Sequence, residues 1–313
     1  MPYKLPIIRL LSDGQPHSAD ELIAAGKLAP AELAPALADL LGLGVALDAH
    51  GGSVRLAEPI ELLDPDAVAG RLPPEVRLAV VDRCESTSSV VADLAREGAA
   101  SGTAVVCEIQ TAGRGRRGAP WLAPFGTSLA FSLLWRFGAE AKNLGGLSLA
   151  VGVACSRAFE RLGASGIGLK WPNDILWEGR KLCGILIEIA STEDAAAVIG
   201  IGVNVRGADR LSERLPYSVA DLRMAGVSES RNAILAEMLA ALAAACARFD
   251  RSGFGGFRDD WERRHAHRGQ RVRLLNGDGA CEGTALGVDD DGALLVATDR
   301  GTERFLAGEV SLR

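Results

Sequence analysis

Residues 110–121 read Gln-Thr-Ala-Gly-Arg-Gly-Arg-Arg-Gly-Ala-Pro-Trp, and they constrain the chain more than any other stretch. Gly113, Gly115 and Gly118 let the backbone reach positive φ and bring N–H groups close to a ligand. Arg114, Arg116 and Arg117 are permanently charged forks suited to carboxylate and phosphate. The arginines repel one another and glycine is costly to order. The stretch therefore reads as a loop that is mobile when empty and closes on an anion. Apolar runs at 103–110 and 127–136 flank it as strands, so the loop lies where a ligand can rest on a sheet face. A solvated loop or an RNA-binding patch would use the same residues. The spacing matches neither a Gly-x-x-x-x-Gly-Lys-Ser/Thr phosphate loop nor a dinucleotide fingerprint, since Ala119-Pro120-Trp121 is a poor helix start.

The 313 residues leave room for two or three domains, and a hydrophobic fraction of 48% argues for a sizeable core. A net charge of −6 speaks against a general nucleic-acid binder. No apolar run reaches bilayer length on this reading, and the N-terminus lacks a secretory signal, so a cytoplasmic protein is expected. The six cysteines are scattered without a Cys-x-x-Cys pair, as in reduced core thiols. His265 and His267 face different ways on a helix, so no protein metal site is expected.

Residues 1–63 read as a separate unit. Residues 5–11 form a helix. Ser18 and Glu21 make a capping box for a second helix over 20–25. Pro30 starts a third, with Leu33, Leu37, Leu40 and Leu41 on one face. Residues 45–47 and 53–56 form a hairpin around His50-Gly51-Gly52. Three helices and a hairpin make the winged helix-turn-helix plan, usually a DNA reader. The charge opposes that use. Residues 20–48 hold Asp20, Glu21, Glu32, Asp39 and Asp48 against Lys27 alone. Counterion release on DNA would be small.

A connector with a short helix at 66–70 leads to a strand over 76–84. Glu85-Ser86-Thr87-Ser88 then caps a helix running to 97. These hydroxyls at a strand-to-helix junction serve either as a cap or as hydrogen-bonding groups for a small polar ligand. Trp121 is either core or a stacking face for a flat ring. Residues 144–162 are a core helix. Lys170-Trp171-Pro172-Asn173-Asp174 is a turn that leaves Lys170 at a strand end, where a compact charge can point into a cleft. Gly184, in the strand over 181–188, permits close approach of a ligand. The strand over 197–205 carries Gly200-Ile201-Gly202-Val203-Asn204, and Asn204 can offer an amide to a base. Residues 231–250 and 259–267 are helical. Short strands at 271–275, 282–288, 293–298 and 303–305, with a turn at 276–279, close the chain as a small β barrel or sandwich.

GRGRRG, KWPND and GIGVN, with Ser86-Thr87-Ser88 before them and KLCGILIE between, closely resemble the bacterial biotin–protein ligases, including the bifunctional ligase/biotin operon repressor type. The resemblance covers nearly the whole chain. It implies an α+β protein with a winged helix-turn-helix at 1–63, a class II-synthetase-like catalytic domain with a mixed sheet at 64–267, and an SH3-like β barrel at 268–313. It implies activation of biotin by Mg-ATP to biotinyl-5′-AMP, then transfer to a lysine of the biotin carboxyl-carrier protein of acetyl-CoA carboxylase. Mg²⁺ would be held mostly through phosphates. By resemblance Arg114, Arg116 and Lys170 are catalytic, with Lys170 bridging the reacting carboxylate and α-phosphate. Ser86, Thr87, Ser88, Gln110, Gly113, Arg114, Gly115, Arg116, Lys170 and Gly184 would hold biotin. Arg116, Trp121, Lys170, Asn173 and Asn204 would hold the nucleotide, and Arg117 would support the loop. Close relatives often have Ser-Thr-Asn where this chain has Ser86-Thr87-Ser88, and a hydroxyl does not supply an amide's whole donor set. Repressor-type members form homodimers and bind operator DNA when the adenylate is present. The acidic third helix is the departure that speaks against DNA here. Lipoate transfer on a related fold is disfavoured by the Gly/Arg loop and KWPND.

Overall fold

A computed structural model describes residues 4–138, 144–191, 195–276 and 279–312. The chain opens with α1 (Lys4–Leu11), the two-residue β1 (His17–Ser18), α2 (Ala19–Gly26), a single 3₁₀ turn (Pro30–Glu32), α3 (Leu33–Gly42), β2 (Leu47–His50) and β3 (Ser53–Leu56). The capping box is formed: the Ser18 hydroxyl accepts from Glu21 N, and the Glu21 carboxylate accepts from Ser18 N at 2.7 Å. β1, β3 and β2 make an antiparallel sheet. β1 escaped the sequence reading because two residues show no alternation. On α3, Leu40 is buried but Leu41 is exposed, so the expected apolar face narrows to Leu33, Leu37 and Leu40. Neighbouring residues lie about 100° apart on a helix, and both cannot face the same core.

After α4 (Pro65–Ala69) the central sheet begins with β4 (Arg77–Cys84), α5 (Thr87–Arg96), β5 (Thr103–Gln110) and β6 (Ser128–Arg136). It continues through α6 (Leu147–Arg161), β7 (Ile167–Lys170), β8 (Asp174–Trp177), β9 (Arg180–Ser191) and β10 (Ala196–Asn204). The spatial order is β4-β5-β6-β10-β9-β8-β7. β4 and β5 run parallel and the remaining neighbours antiparallel, so the sheet is mixed. Every described residue of β10 is buried, because α5 covers one face of the sheet and α6 and α8 (Arg231–Ser252) the other. A strand covered on both faces reads as a continuous apolar run rather than an alternation.

Between β10 and α8 lies the short α7 (Ala208–Ser212). By length and composition α8 is apolar enough to cross a membrane, contrary to the sequence reading, but most of it is buried inside the protein. Leu235, Met238, Leu239, Leu242 and Phe249 pack into the main core with α6. α9 (Arg258–Arg264) stops short of the helix expected over 259–267. His265 turns extended, and Ala266 N donates to Leu169 O at 2.9 Å along the free edge of β7. The two histidines therefore do not share a helix.

Five antiparallel strands close the chain: β11 (Arg271–Asn276), β12 (Gly279–Val288), β13 (Leu294–Thr298), β14 (Gly301–Phe305) and β15 (Glu309–Leu312), in the order β14-β13-β12-β11-β15. β15 was missed because Glu-Val-Ser-Leu offers one buried residue, Val310. The turn expected at 276–279 lies partly outside the described residues. Val272, Leu274 and Val296 belong to the same apolar cluster as Trp261 and the central sheet, so this small sheet is packed onto the central core.

The N-terminal unit is also anchored. Ile109 at the end of β5 and Phe125 just beyond the Gly/Arg loop are buried with Leu5, Leu22 and Val54 in its core. The connector is pinned beside them by a buried ion pair, Arg231 to Glu108 at 2.8 Å. Arg231 also donates to Glu61 O at 2.6 Å and Ser128 O at 3.2 Å. Breaking such a pair from one side typically costs about 3–5 kcal/mol, since it leaves a buried charge alone.

Candidate active site

The floor of one large cleft is glycine. Gly184 on β9 and Gly200 and Gly202 on β10 present bare backbone. A Cβ at Gly202 would stand 2.2 Å from the Trp121 ring, and one at Gly200 would stand 2.6 Å from Ser88 Oγ. The glycines are there because side chains and ligands lie directly on the sheet. Gly200 and Gly202 are additions to the expected set.

One wall is the β4–α5 junction. Ser86 occupies the N-cap position of α5, yet its hydroxyl makes no capping bond. Gln110 supplies the cap instead: Thr87 N donates to Gln110 Oε1 at 3.0 Å. Ser132 of β6, absent from the sequence reading, lies 2.9 Å from Thr87 Oγ1 and 3.1 Å from Ser88 Oγ. Ser132 is a single hydroxyl in an apolar strand, and only the fold brings it under α5. Buried hydroxyls must find partners, and these hold one another in place while Ser86 and Gln110 face the cleft.

The Gly/Arg loop forms the lid. Hydrogen bonds within the loop shape it. Gly115 N donates to Ala119 O at 2.7 Å and Trp121 N to Gly113 O at 2.9 Å, giving a small antiparallel lap. Its tip turns through Arg117 (φ 55°) and Gly118 (φ 75°). Gly113 admits no Cβ, which would meet Gln110 Nε2 and Trp121 O at 2.4 Å each. The arginines are separated by distinct partners. Arg114 pairs with Glu188 at 3.4 Å. Arg116 donates to Asn173 Oδ1 at 3.4 Å and Gly308 O at 3.2 Å. Arg117 lies 3.9 Å from Glu309. Burial, and then the neighbouring Arg117, lower the Arg116 pKa, while Asp174 and Glu309 oppose that shift.

The opposite wall is KWPND. The Trp171–Pro172 peptide is cis, and Trp171 is buried with Nε1 donating to Gly292 O at 3.0 Å. Asn173 Nδ2 donates to Ile185 O at 2.8 Å. Lys170, at the end of β7, lines the cleft. Beside it His267 is buried, and burial first and the Lys170 charge second push its pKa down to about 4.

Ser86, Thr87, Ser88, Gln110, Arg114, Gly115, Arg116, Trp121, Lys170, Asn173 and Gly184 thus line one cleft. Gly113 stands behind it, shaping the lap. Asn204 lines a smaller hollow beyond Trp121, with Leu211, Leu215 and Val219. Its Nδ2 donates to Lys181 O at 3.3 Å and Ala220 O at 3.1 Å, while its Oδ1 is buried without a partner. Among the cleft residues not singled out from sequence, Asp174 and Lys181 form an ion pair at 2.7 Å. A bulge in the β8–β9 register between Ile175 and Leu176 brings Lys181 to the face of Gly184, three residues away. Simple alternation would have placed those residues on opposite faces. The arrangement gathers cations, N–H donors and hydroxyls around a bare sheet face, suited to bringing two anions together.

Residues 80–204 match the biotin/lipoate A/B protein ligase family, and residues 267–313 match the biotin protein ligase C terminal domain. The chain is 35% identical over 312 residues to the bifunctional ligase/repressor BirA of Salmonella typhimurium, covering 99% of this chain and 97% of that protein. It is 33% identical over 242 residues to the biotin--[acetyl-CoA-carboxylase] ligase of Paracoccus denitrificans, covering 73% and 97%. Among solved structures it is similar to a biotin protein ligase from Aquifex aeolicus in complex with biotin and ATP, with a TM-score of 0.67 and 30% identity over 76% of this chain and 98% of that one.

Proposed function

The chain belongs to the biotin protein ligase family, and from that premise we propose that it joins biotin to ATP and then to a carrier protein. The biotin carboxylate attacks the α-phosphate, pyrophosphate leaves, and biotinyl-5′-AMP then gives its acyl group to a lysine of the biotin carboxyl-carrier protein of acetyl-CoA carboxylase. The observation that carries this reading is the convergence of the Ser86–Ser88 hydroxyls, Gln110, the Gly/Arg loop and Lys170 over one glycine floor.

Ser86, Thr87, Ser88 and Gln110 hold biotin's polar ring and tail, against Gly184. Gly113 and Gly115 shape the loop that lets Arg114 and Arg116 reach the carboxylate and phosphates. Lys170 bridges the reacting carboxylate and α-phosphate, the point where two anions must meet. Trp121 separates the biotin side from the nucleotide side. Asn204, with its unpartnered buried Oδ1, offers an acceptor to adenine's amino group beside Trp121. Asn173 orients Arg116 toward the nucleotide. Mg²⁺ enters with ATP. Asp174 and Glu309 are the carboxylates lining the cleft, and both lie beside cations. That donor set fits an ion held chiefly by phosphates rather than by a protein cage.

At the finer level, residues 1–63 form a winged helix-turn-helix, 64–267 the class II-synthetase-like catalytic domain and 268–313 an SH3-like barrel, in a cytoplasmic protein. A second role, as a biotin-responsive repressor acting as a homodimer on DNA, is favoured by the full-length likeness to a bifunctional ligase/repressor. The surface of the N-terminal unit opposes it, because Arg55 is held by Asp48 at 2.7 Å and Arg9 by Asp82 at 3.0 Å.

The test is label transfer. Purified protein with biotin and Mg-ATP labels a carboxyl-carrier domain, and Lys170→Ala lowers adenylate formation by about 100-fold or more with the fold intact. Folded wild-type protein that fails to label removes the ligase reading. A Lys170→Ala variant that forms adenylate at the normal rate removes the role assigned to Lys170.

A further inference from the structure

The loop that carries Arg114 and Arg116 hangs between two strands that part before they reach it. β5 and β6 pair from Ala104 with Leu133 as far as Cys107 with Ala130. Past that point each strand keeps only its outer neighbour. Gln110 stands opposite Cys84 of β4, and Ser128 stands opposite Asn204 of β10. Glu108 and Ser128 are the stems of the loop just beyond the last β5–β6 pair, and that ladder does not set the gap between them.

Arg231 spans the gap. From the first residue of α8 its guanidinium donates to the Glu108 carboxylate at 2.8 and 3.0 Å and to Ser128 O at 3.2 Å. It also donates to Glu61 O at 2.6 Å, while Glu108 accepts from Leu63 N. The Arg231 and Glu108 side chains are only 5% and 4% exposed, so salt screens this pair far less than it screens the loop's own pairs with Glu188 and Glu309. A guanidinium suits the place, because its rigid planar fork holds several acceptors in fixed directions where an ammonium is a point charge. Two residues beyond Glu108, Gln110 lines the cleft and accepts from Thr87 N. One buried arginine thereby fixes where both ends of the loop leave the sheet.

We propose that Arg231 is a positioning residue of the ligase reaction, holding the two stems of the Gly/Arg loop at the spacing that sets Gln110, Arg114 and Arg116 against biotin. This rests on the ligase reading of the cleft. Arg231 does not line that cleft, and it acts through Glu108 on one stem and Ser128 on the other. A displacement of about 1 Å in groups that hold a reacting anion is enough to cost much of the rate. A fastening that served the connector alone would behave differently. Its loss would lower the melting temperature and leave the KM of the folded enzyme where it was.

The experiment measures the KM for biotin in pyrophosphate release, together with thermal melts and trypsin cleavage at Arg114–Arg117. The test variant is Arg231→Met with Glu108→Gln, which leaves no unpaired charge from the ion pair and keeps an acceptor for Leu63 N. The expected result is a KM about tenfold higher, and cleavage that biotin with Mg-ATP no longer slows. Arg231→Lys leaves Glu108 paired but gives up the fork. It should raise the KM in the same way, and it answers the question if the double variant does not fold. The control is Asn232→Ala, which frees the connector at Asp64 N and Leu62 O and spares the bonds of the Arg231 guanidinium. It should melt lower and keep a KM within about twofold of wild type. A wild-type KM in the folded Arg231 variants overturns the proposal. So does an equal rise in Asn232→Ala, because the connector and not the stems would then set the KM. If wild type itself releases no pyrophosphate, the ligase reading fails and this role falls with it, whereas active wild type with unchanged variants removes this role alone.

Discussion

Trp121 shows how much a glycine can matter. Its indole lies against Gly202, where a Cβ would come within 2.2 Å of the ring, and against Gly184, where a Cβ would come within 3.1 Å. Its Nε1 is buried without a partner. Gly202→Ala must therefore displace the indole, at a cost of about 1–3 kcal/mol for overpacking. The expected outcome is a rise of about tenfold or more in the KM for ATP, with a shift in tryptophan emission and little loss of global stability. Unchanged emission and KM would show that Trp121 does not divide the site. The GIGVN glycines were visible in the sequence as a thinned strand. Which ring would fill the thinning was not, because Trp121 lies about eighty residues away in the chain.

At the scale of the element, the Gly/Arg loop is ordered by little. Two backbone bonds close its lap, and the side chains of Arg114 and Arg117 stay about half exposed. Segments with few buried contacts open at low free energy. Trypsin should cut at Arg114–Arg117 in the empty protein, and biotin with Mg-ATP should slow that cleavage by about tenfold as anions engage the arginines. Equal cleavage with and without ligands would count against closure of the loop. Both stems of this element are held by the N-terminal core, through Ile109 and Phe125. Sequence gave no sign of that, since both residues read as ordinary apolar positions of the central domain.

At the scale of the molecule, two outcomes are expected. His265 and His267 are buried at the seam between α9, β7 and the C-terminal sheet, and burial lowers each pKa from 6.5 to about 4. Unfolded, these imidazoles take up protons near pH 6.5, whereas folded they stay neutral until about pH 4. Between those limits the unfolded state binds more protons, so stability falls as pH drops from about 6.5 to 4. Thermal melts across this window should show the loss, and His267→Gln should reduce it. The second outcome concerns DNA. The outward surface of α3 offers Glu32, Ala34, Pro35, Ala38 and Leu41 to solvent, with no cation. Anisotropy of labelled DNA from biotin-synthesis promoters should show no specific binding, with or without biotin and Mg-ATP. Tight, ligand-dependent binding with a steep salt dependence would instead establish the repressor role.

The order of the longer elements, the glycine positions and the family were already legible in the chain. Local chemistry decides those: a capping box, a Gly/Arg lap, a proline after a strand and glycines where backbone must lie bare. What only the tertiary structure decided is which distant groups share a charge or a core. The Lys181–Asp174 pair depends on a bulge that changes the parity of β9, and Ser132 under α5 depends on strand order. The end of α9 at Arg264 depends on a free carbonyl on β7. The Arg231–Glu108 pair joins residues 123 apart in sequence. None of these has a local signature, because each partner satisfies its charge or its hydrogen bond only after the sheet has been assembled.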